Sequence, residues 1–174
     1  MADRKVIITV APSSNFQGKE ANPAIPYTPA EIAEQVYGAW NAGASLAHMH
    51  ARDRNGNQTN DVNVFREINA AVRAKCDVII QNSIAPALGP NPGTAEDGLQ
   101  VLDAGAEMSS IDMGISVVVN RGKTVIIEWT REFLRKAAKM IMERGLKPEM
   151  EIFNDSNMDD ALMLIDEGLF TPPY

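Results

Sequence analysis

Two histidines, His48 and His50, stand two residues apart in the run Leu46-Ala47-His48-Met49-His50-Ala51-Arg52-Asp53, and the chain has no others. Successive side chains of a β-strand point to opposite faces, so residues i and i+2 share one face. A strand over Leu46–His50 therefore turns both imidazoles the same way, close enough to hold one ion. Neutral imidazole is a good ligand for zinc or a similar transition metal. The same spacing also fits two histidines satisfied within a core or lying on a surface. A catalytic zinc wants a third protein ligand and an open position, and the spacing alone supplies neither.

The elements that must position this pair follow from the pattern on either side of it. Val6–Ala11 is a β-branched run without polar alternation, which predicts a strand buried on both faces, as in parallel sheets. Residues 12–26 predict a long loop rich in Ser, Asn, Gly and Pro, and loops of that length tend to be functional. Thr28-Pro29-Ala30-Glu31 joins an N-cap, a proline suited to the first helical position and a capping-box glutamate. The helix it opens carries Ile32, Val36, Ala39 and Trp40 at helical spacing and ends at Gly43. Asp53–Asn60 reads as turn material.

A second helix is expected from about Val62 to Lys75, with Phe65, Ile68 and Val72 on one face, then a strand over Val78–Ser83 and a Pro/Gly loop over Ile84–Gly93. Thr94 with Asp97 caps a third helix that Gly105 closes, and Met108–Asp112 is a fourth strand, followed by a loop turning at Arg121-Gly122. Thr130 opens a fourth helix with the stripe Phe133, Leu134, Ala137, Ala138 and Ile141, ended by Gly145. Met150–Phe153 is read as the fifth strand. Ser156 with Asp159 is read as the cap of a fifth helix, which carries Leu162 and Ile165 and stops at Gly168.

Alternation of strand and helix through five units means an α/β fold with a parallel sheet. A doubly wound sheet suits five strands, but the first strand is followed by neither a Gly-rich phosphate loop nor a prompt helix. A (β/α)8 TIM barrel fits the polar strand C-termini better, because barrel chemistry is gathered from several strand ends at one face. Those ends are Ser13, His48 and His50, Ser83, Ser110 and Asp112, and Asn154 with Asp155. A complete barrel takes about 250 residues. The 174 residues therefore accommodate only about the first five βα units, as one partial barrel domain over 1–174.

Composition excludes several classes. The chain is 45% apolar and 22% charged, ordinary for one globular domain. A formal charge of −7 leaves no basic footprint for nucleic acid or an anionic membrane. Anionic substrates must then be met by local positive charge, a metal or helix N-termini. One cysteine, Cys76, excludes an intrachain disulfide and fits a reducing cytoplasm. The apolar run after Met1–Lys5 is too short for a secretory signal or a membrane span, so a cytoplasmic, soluble protein is expected.

Taken together, these segments resemble the β-keto acid cleavage enzymes, the family that includes 3-keto-5-aminohexanoate cleavage enzyme. The matching residues are Val6–Ala11, Ile25–Ala33, His48–Asp53, Phe65–Ile68, Ile79–Ser83, Glu107–Gly114 and Leu162–Gly168, in order along the whole chain. The resemblance implies a zinc-dependent TIM barrel that exchanges acyl groups between a β-keto acid and acetyl-CoA, giving acetoacetate and a new acyl-CoA. It places the two metal histidines at His48 and His50 and a substrate-contacting serine at Ser83. A hydroxyl and a polar residue on the fourth strand, also against substrate, fall at Ser110 and Asp112. A β-keto acid can chelate a metal through its ketone and carboxylate oxygens, and a Lewis acid there stabilises the enolate formed on proton loss. Hydroxyls and backbone amides at strand ends can hold the carboxylate. A homo-oligomer is expected.

The sequence departs from the family at three places. The family's third metal ligand, a glutamate, and its catalytic aspartate and arginine belong to strands that would lie beyond Tyr174. Pro12-Ser13-Ser14-Asn15-Phe16 stands where some members have a glutamate, and Asn154-Asp155-Ser156-Asn157 also differs. An open sheet of five strands would expose edges and apolar helix faces, so the 174 residues alone are expected to associate. Two other readings stay open at this point. One is a different metal-dependent barrel, either an aldolase or a hydrolase whose His-x-His pair would sit on the first strand rather than the second. The other is an inactive or assembly-only subunit.

Overall fold

The computed structural model describes residues 5–90, 92–120 and 122–174. Five strands form one parallel sheet: β1 (Thr9–Val10), β2 (Leu46–Met49), β5 (Ile79–Ser83), β6 (Met108–Asp112) and β9 (Lys147–Glu151), in the spatial order β1-β2-β5-β6-β9. Each strand adds to the same side of its predecessor, so the order never reverses and there is no switch point of the doubly wound kind. Two antiparallel hairpins interrupt the alternation: β3 (Ala51–Arg52) with β4 (Gln58–Thr59), and β7 (Ile115–Asn120) with β8 (Lys123–Glu128).

The helices are α1 (Pro29–Asn41), α2 (Val62–Arg73), α3 (Ala95–Gly98) running into a 3₁₀ turn over Leu99–Asp103, α4 (Arg131–Glu143) and α5 (Asp155–Asp166). Their starts follow from capping chemistry. Thr28 and Glu31 form the reciprocal capping box expected, as do Thr94 and Asp97, and the Thr130 side chain accepts from Phe133 N–H. Alternation divides the sheet. Ala47, Met49, Ile80 and Ile111 are buried in the core with Phe65, Ile68 and Val72 of α2 and Phe133, Leu134 and Ile141 of α4. The opposite face presents His48, Gln81, Ser83, Ser110, Asp112, Glu149 and Glu151.

Several sequence expectations are corrected. Val6, Ile7 and Ile8 are not a doubly buried strand; they are exposed, at 78%, 75% and 52%. β1 is an edge strand paired only to β2, and without neighbours on both sides a β-branched run gains no burial. The turn segment Asp53–Asn60 contains a strand, β4, and the loop after the fourth strand is the β7–β8 hairpin. Arg121 of its expected turn lies outside the described residues, while Gly122 adopts φ +75°, the left-handed conformation a tight hairpin turn needs. The fifth strand begins at Lys147 rather than Met150. Its helix is capped by Asn154, which accepts from Asn157 N–H and from the Ser156 hydroxyl at 2.7 Å, and Leu162 faces solvent. Trp40 is likewise outside the core, stacked against Tyr37.

Candidate functional site

The imidazole pair meets on the polar face of the sheet. His48 is on β2 and His50 immediately follows it, and their Nε2 atoms stand 3.2 Å apart with the rings nearly edge to face. Two further contacts fix them. Gln81 of β5, the register partner of His48, places its Oε1 2.7 Å from His48 Nδ1. The Ser13 hydroxyl donates to His50 C=O at 2.8 Å and accepts from His50 N–H at 3.0 Å, tying the end of β2 to the loop after β1. Burial first, then the neighbouring His48 and the Arg52 cation, holds the His50 imidazole down to about 3, so it is neutral at physiological pH.

Arg52 organises the loop that covers this end. Its guanidinium is buried, donates to Gly56 C=O at 2.8 Å, to Ser14 C=O at 2.9 Å and to Gln17 C=O, and lies over the Tyr27 ring. Asn15 is clipped from both sides, donating to Pro86 C=O and accepting at its own carbonyl from Gln58. The loop therefore presents Asn15 and Phe16 to a cavity of about 430 Å³ at the strand ends.

That cavity is lined by His50, Ser83, Asp112 and Glu151, with apolar walls from Phe16, Phe153 and the β7–β8 hairpin. Four of the five residues singled out in sequence are thus brought together: His48 and His50 in contact, and His50, Ser83 and Asp112 lining one cavity. The fifth, Ser110, is the register partner of Ser83 and is buried, and its hydroxyl has no hydrogen-bond partner among the described residues. Ser83 is not free in the same way, since its hydroxyl accepts from Ala85 N–H at 3.2 Å, a strand-end capping bond. The Asp112 carboxyl is pushed up to about 7, mainly by burial and then by the negative charge of Glu151, its partner across β6 and β9.

Glu149 and Glu151 were not foreseen as site residues. Both lie on β9, Glu149 before the expected strand Met150–Phe153 and Glu151 within it. With the strand begun at Lys147, period two puts positions 147, 149 and 151 on one face, and that signal would have found them. Gln81, seen in sequence only as part of a family motif, links the two halves by donating to Glu149 at 2.9 Å.

The donor set fits a divalent metal in part. Two neutral imidazoles whose Nε2 atoms converge can fill two positions of a zinc site. Among the described residues no group of three His, Cys, Asp or Glu side chains is placed to complete one.

The fold and the site define an α/β protein with a parallel sheet and polar side chains gathered at its strand C-termini. The chain belongs to the beta-keto acid cleavage enzyme family, whose model matches residues 5–174. It is 38% identical over 170 residues to the 3-keto-5-aminohexanoate cleavage enzyme of Fusobacterium nucleatum and 35% identical to that of Acetoanaerobium sticklandii, covering 97% of this chain and 60% of each relative. It is 28% identical to the 3,5-dioxohexanoate:acetyl-CoA acetone transferase of Paraburkholderia graminis, covering 98% of this chain and 61% of that one. The chain therefore spans about three fifths of the length of the curated relatives it matches. Among solved structures, a ternary complex of ObcA with a C4-CoA adduct and oxalate superposes with a TM-score of 0.69 at 22% identity, over 84% of this chain and 35% of that one.

Proposed function

We propose that this chain forms the first five βα units of a (β/α)8 barrel that carries out β-keto acid cleavage. The reaction exchanges acyl groups with acetyl-CoA: the bond between the keto carbon and the carboxymethyl carbon and the acetyl–sulfur bond of acetyl-CoA break, the acyl group joins the CoA sulfur, and the acetyl group joins the carboxymethyl carbon to give acetoacetate. One observation carries the reading, the meeting of His50, Ser83 and Asp112 at one cavity of about 430 Å³ at the strand ends, with His48 against His50. The curated relatives, which include a cleavage enzyme and acetyl-CoA transferases, support the same reaction class.

His48 and His50 would hold zinc or a similar divalent ion, whose chemistry when bound is that of a Lewis acid for the substrate's ketone and carboxylate oxygens. Ser110, buried with an unpaired hydroxyl, donates a hydrogen bond to a substrate oxygen, and Ser83 lies beside it on the neighbouring strand. Asp112, with its carboxyl near 7, is poised at neutral pH either to donate a hydrogen bond or to take up a proton. Phe16 and the apolar hairpin residues Ile115 and Val118 exclude water from the acyl group and select its size. A cytoplasmic homo-oligomer belongs to this reading. The buried free thiol of Cys76 suits a reducing compartment, and no helix among the described residues is long and apolar enough to cross a membrane.

The test is acetyl-CoA-dependent formation of acetoacetate from a panel of β-keto acids differing in acyl group. Turnover of at least one member, with stoichiometric acyl-CoA, is expected. Hydrolysis of the keto acid without any CoA ester, or no reaction across the panel, contradicts it.

A further inference from the structure

Three side chains on three strands form a chain of hydrogen bonds that ends at the imidazole pair. Gln81 Nε2 donates to Glu149 Oε2 at 2.9 Å, and Gln81 Oε1 stands 2.7 Å from His48 Nδ1. Gln81 is fully buried, so water does not compete for either end of its amide. A carboxylate can only accept hydrogen bonds. Glu149 therefore selects the NH₂ end of the amide, which turns the carbonyl oxygen to His48. That oxygen also only accepts, so His48 must carry its proton on Nδ1. A neutral imidazole protonated there has its lone pair on Nε2. This is the atom that faces His50 Nε2 at 3.2 Å, where the lone pair accepts the His50 Nε2 proton.

We propose that Glu149, acting through Gln81, is the positioning residue that sets the tautomer of His48 and so makes its Nε2 lone pair the group offered to the site. The inference deepens the proposed function, because a lone pair at Nε2 is what a metal ligand needs. The tautomer itself belongs to the chain alone and can be read without any ion. Histidines that bind metals commonly donate their other ring N–H to a carboxylate or carbonyl oxygen. Here the carboxylate works at one remove, with an amide passing on its polarity. The arrangement also makes a demand on His50: to bind an ion through Nε2, its ring proton must move to Nδ1.

The experiment is ¹⁵N-resolved NMR of the ring nitrogens in the intact protein, before and after removal of bound metal, for wild type, Glu149→Gln and Gln81→Leu. Zinc titration of the same samples gives a second readout. Metal-free wild type is expected to show His48 as a single Nδ1–H tautomer. Glu149→Gln, nearly isosteric but able to present either end of its own amide, gives a mixture, and Gln81→Leu removes the preference. Zinc affinity in Glu149→Gln falls about 10- to 100-fold. A wild-type His48 protonated on Nε2, or a tautomer unmoved by Glu149→Gln in a folded protein, overturns the proposal. The two readings fail separately. A tautomer that shifts as stated in a protein that binds no zinc supports this inference and removes the metal reading. Tight zinc binding with an unmoved tautomer does the reverse.

Discussion

The two halves of the cavity are built on opposite plans. In the imidazole half, nearly every polar group is tied to another part of the chain. Ser13 holds both backbone groups of His50, Gln81 holds the His48 ring, and Arg52 gathers three carbonyls of the covering loop and hairpin. In the carboxylate half, groups are buried without partners. The Ser110 and Ser116 hydroxyls have none among the described residues, and Asp112 faces a second carboxylate, Glu151. Buried polar atoms are normally paired, and leaving one unpaired costs about 1–3 kcal/mol. On the proposed function, the contrast separates a frame set in advance from a surface whose partners would arrive with the substrate.

The largest effect expected comes from the framed half. His50→Ala should lower acetoacetate formation by more than about 100-fold, beyond the usual cost of losing an outer-shell partner of a metal ligand. A steady-state assay at saturating acetyl-CoA measures it. In the open half, Asp112→Asn should raise stability, and only at high pH. The folded carboxyl titrates near 7 against an ordinary 3.8, so the folded protein binds more protons in that window. Its contribution is harmless below the lower value and grows unfavourable as pH rises through the upper one, reaching roughly 4 kcal/mol at most by pH 8. Urea unfolding at pH 4 and pH 8 should show the variant equal to wild type at the first and more stable at the second.

Arg52→Ala comes next. It leaves three carbonyls without their charged donor and removes the contact with Tyr27, and a loss of about 3 kcal/mol is expected in the same unfolding experiment. Ser110→Ala gives the smallest change in stability, within about 1 kcal/mol of wild type, because its hydroxyl has no partner among the described residues. It should nonetheless raise KM for the keto acid about 10-fold, the worth of one hydrogen bond. A large loss of stability in Ser110→Ala would erase the contrast between the two halves.

What could be read from the sequence divides along similar lines. Helix starts are legible where a reciprocal capping box decides them, as at Thr28 with Glu31 and Thr94 with Asp97, but not at α5, where Asn154 rather than Ser156 is the cap. The histidine pair was legible because period two is enough to put both rings on one face. Its second layer was hidden, since Gln81 and Glu149 approach His48 only through the register of three strands far apart in the chain. Strand β9 was misplaced because Pro148 and alternating glutamates do not look like a buried strand. The β7–β8 hairpin is not expected from a βα repeat, in which a helix rather than a second sheet follows each strand. The exposure of Val6–Ile8 depends on what lies beside β1, which no run of β-branched residues records.

The central claim is that His48 and His50 grip one divalent ion at the strand ends. X-ray absorption on zinc-loaded protein tests it most directly. The account predicts zinc with two imidazole nitrogens at about 2.0–2.1 Å, and loss of that imidazole signature together with the bound zinc in His48→Ala. A zinc environment without imidazole, or zinc retained undiminished in His48→Ala, contradicts it.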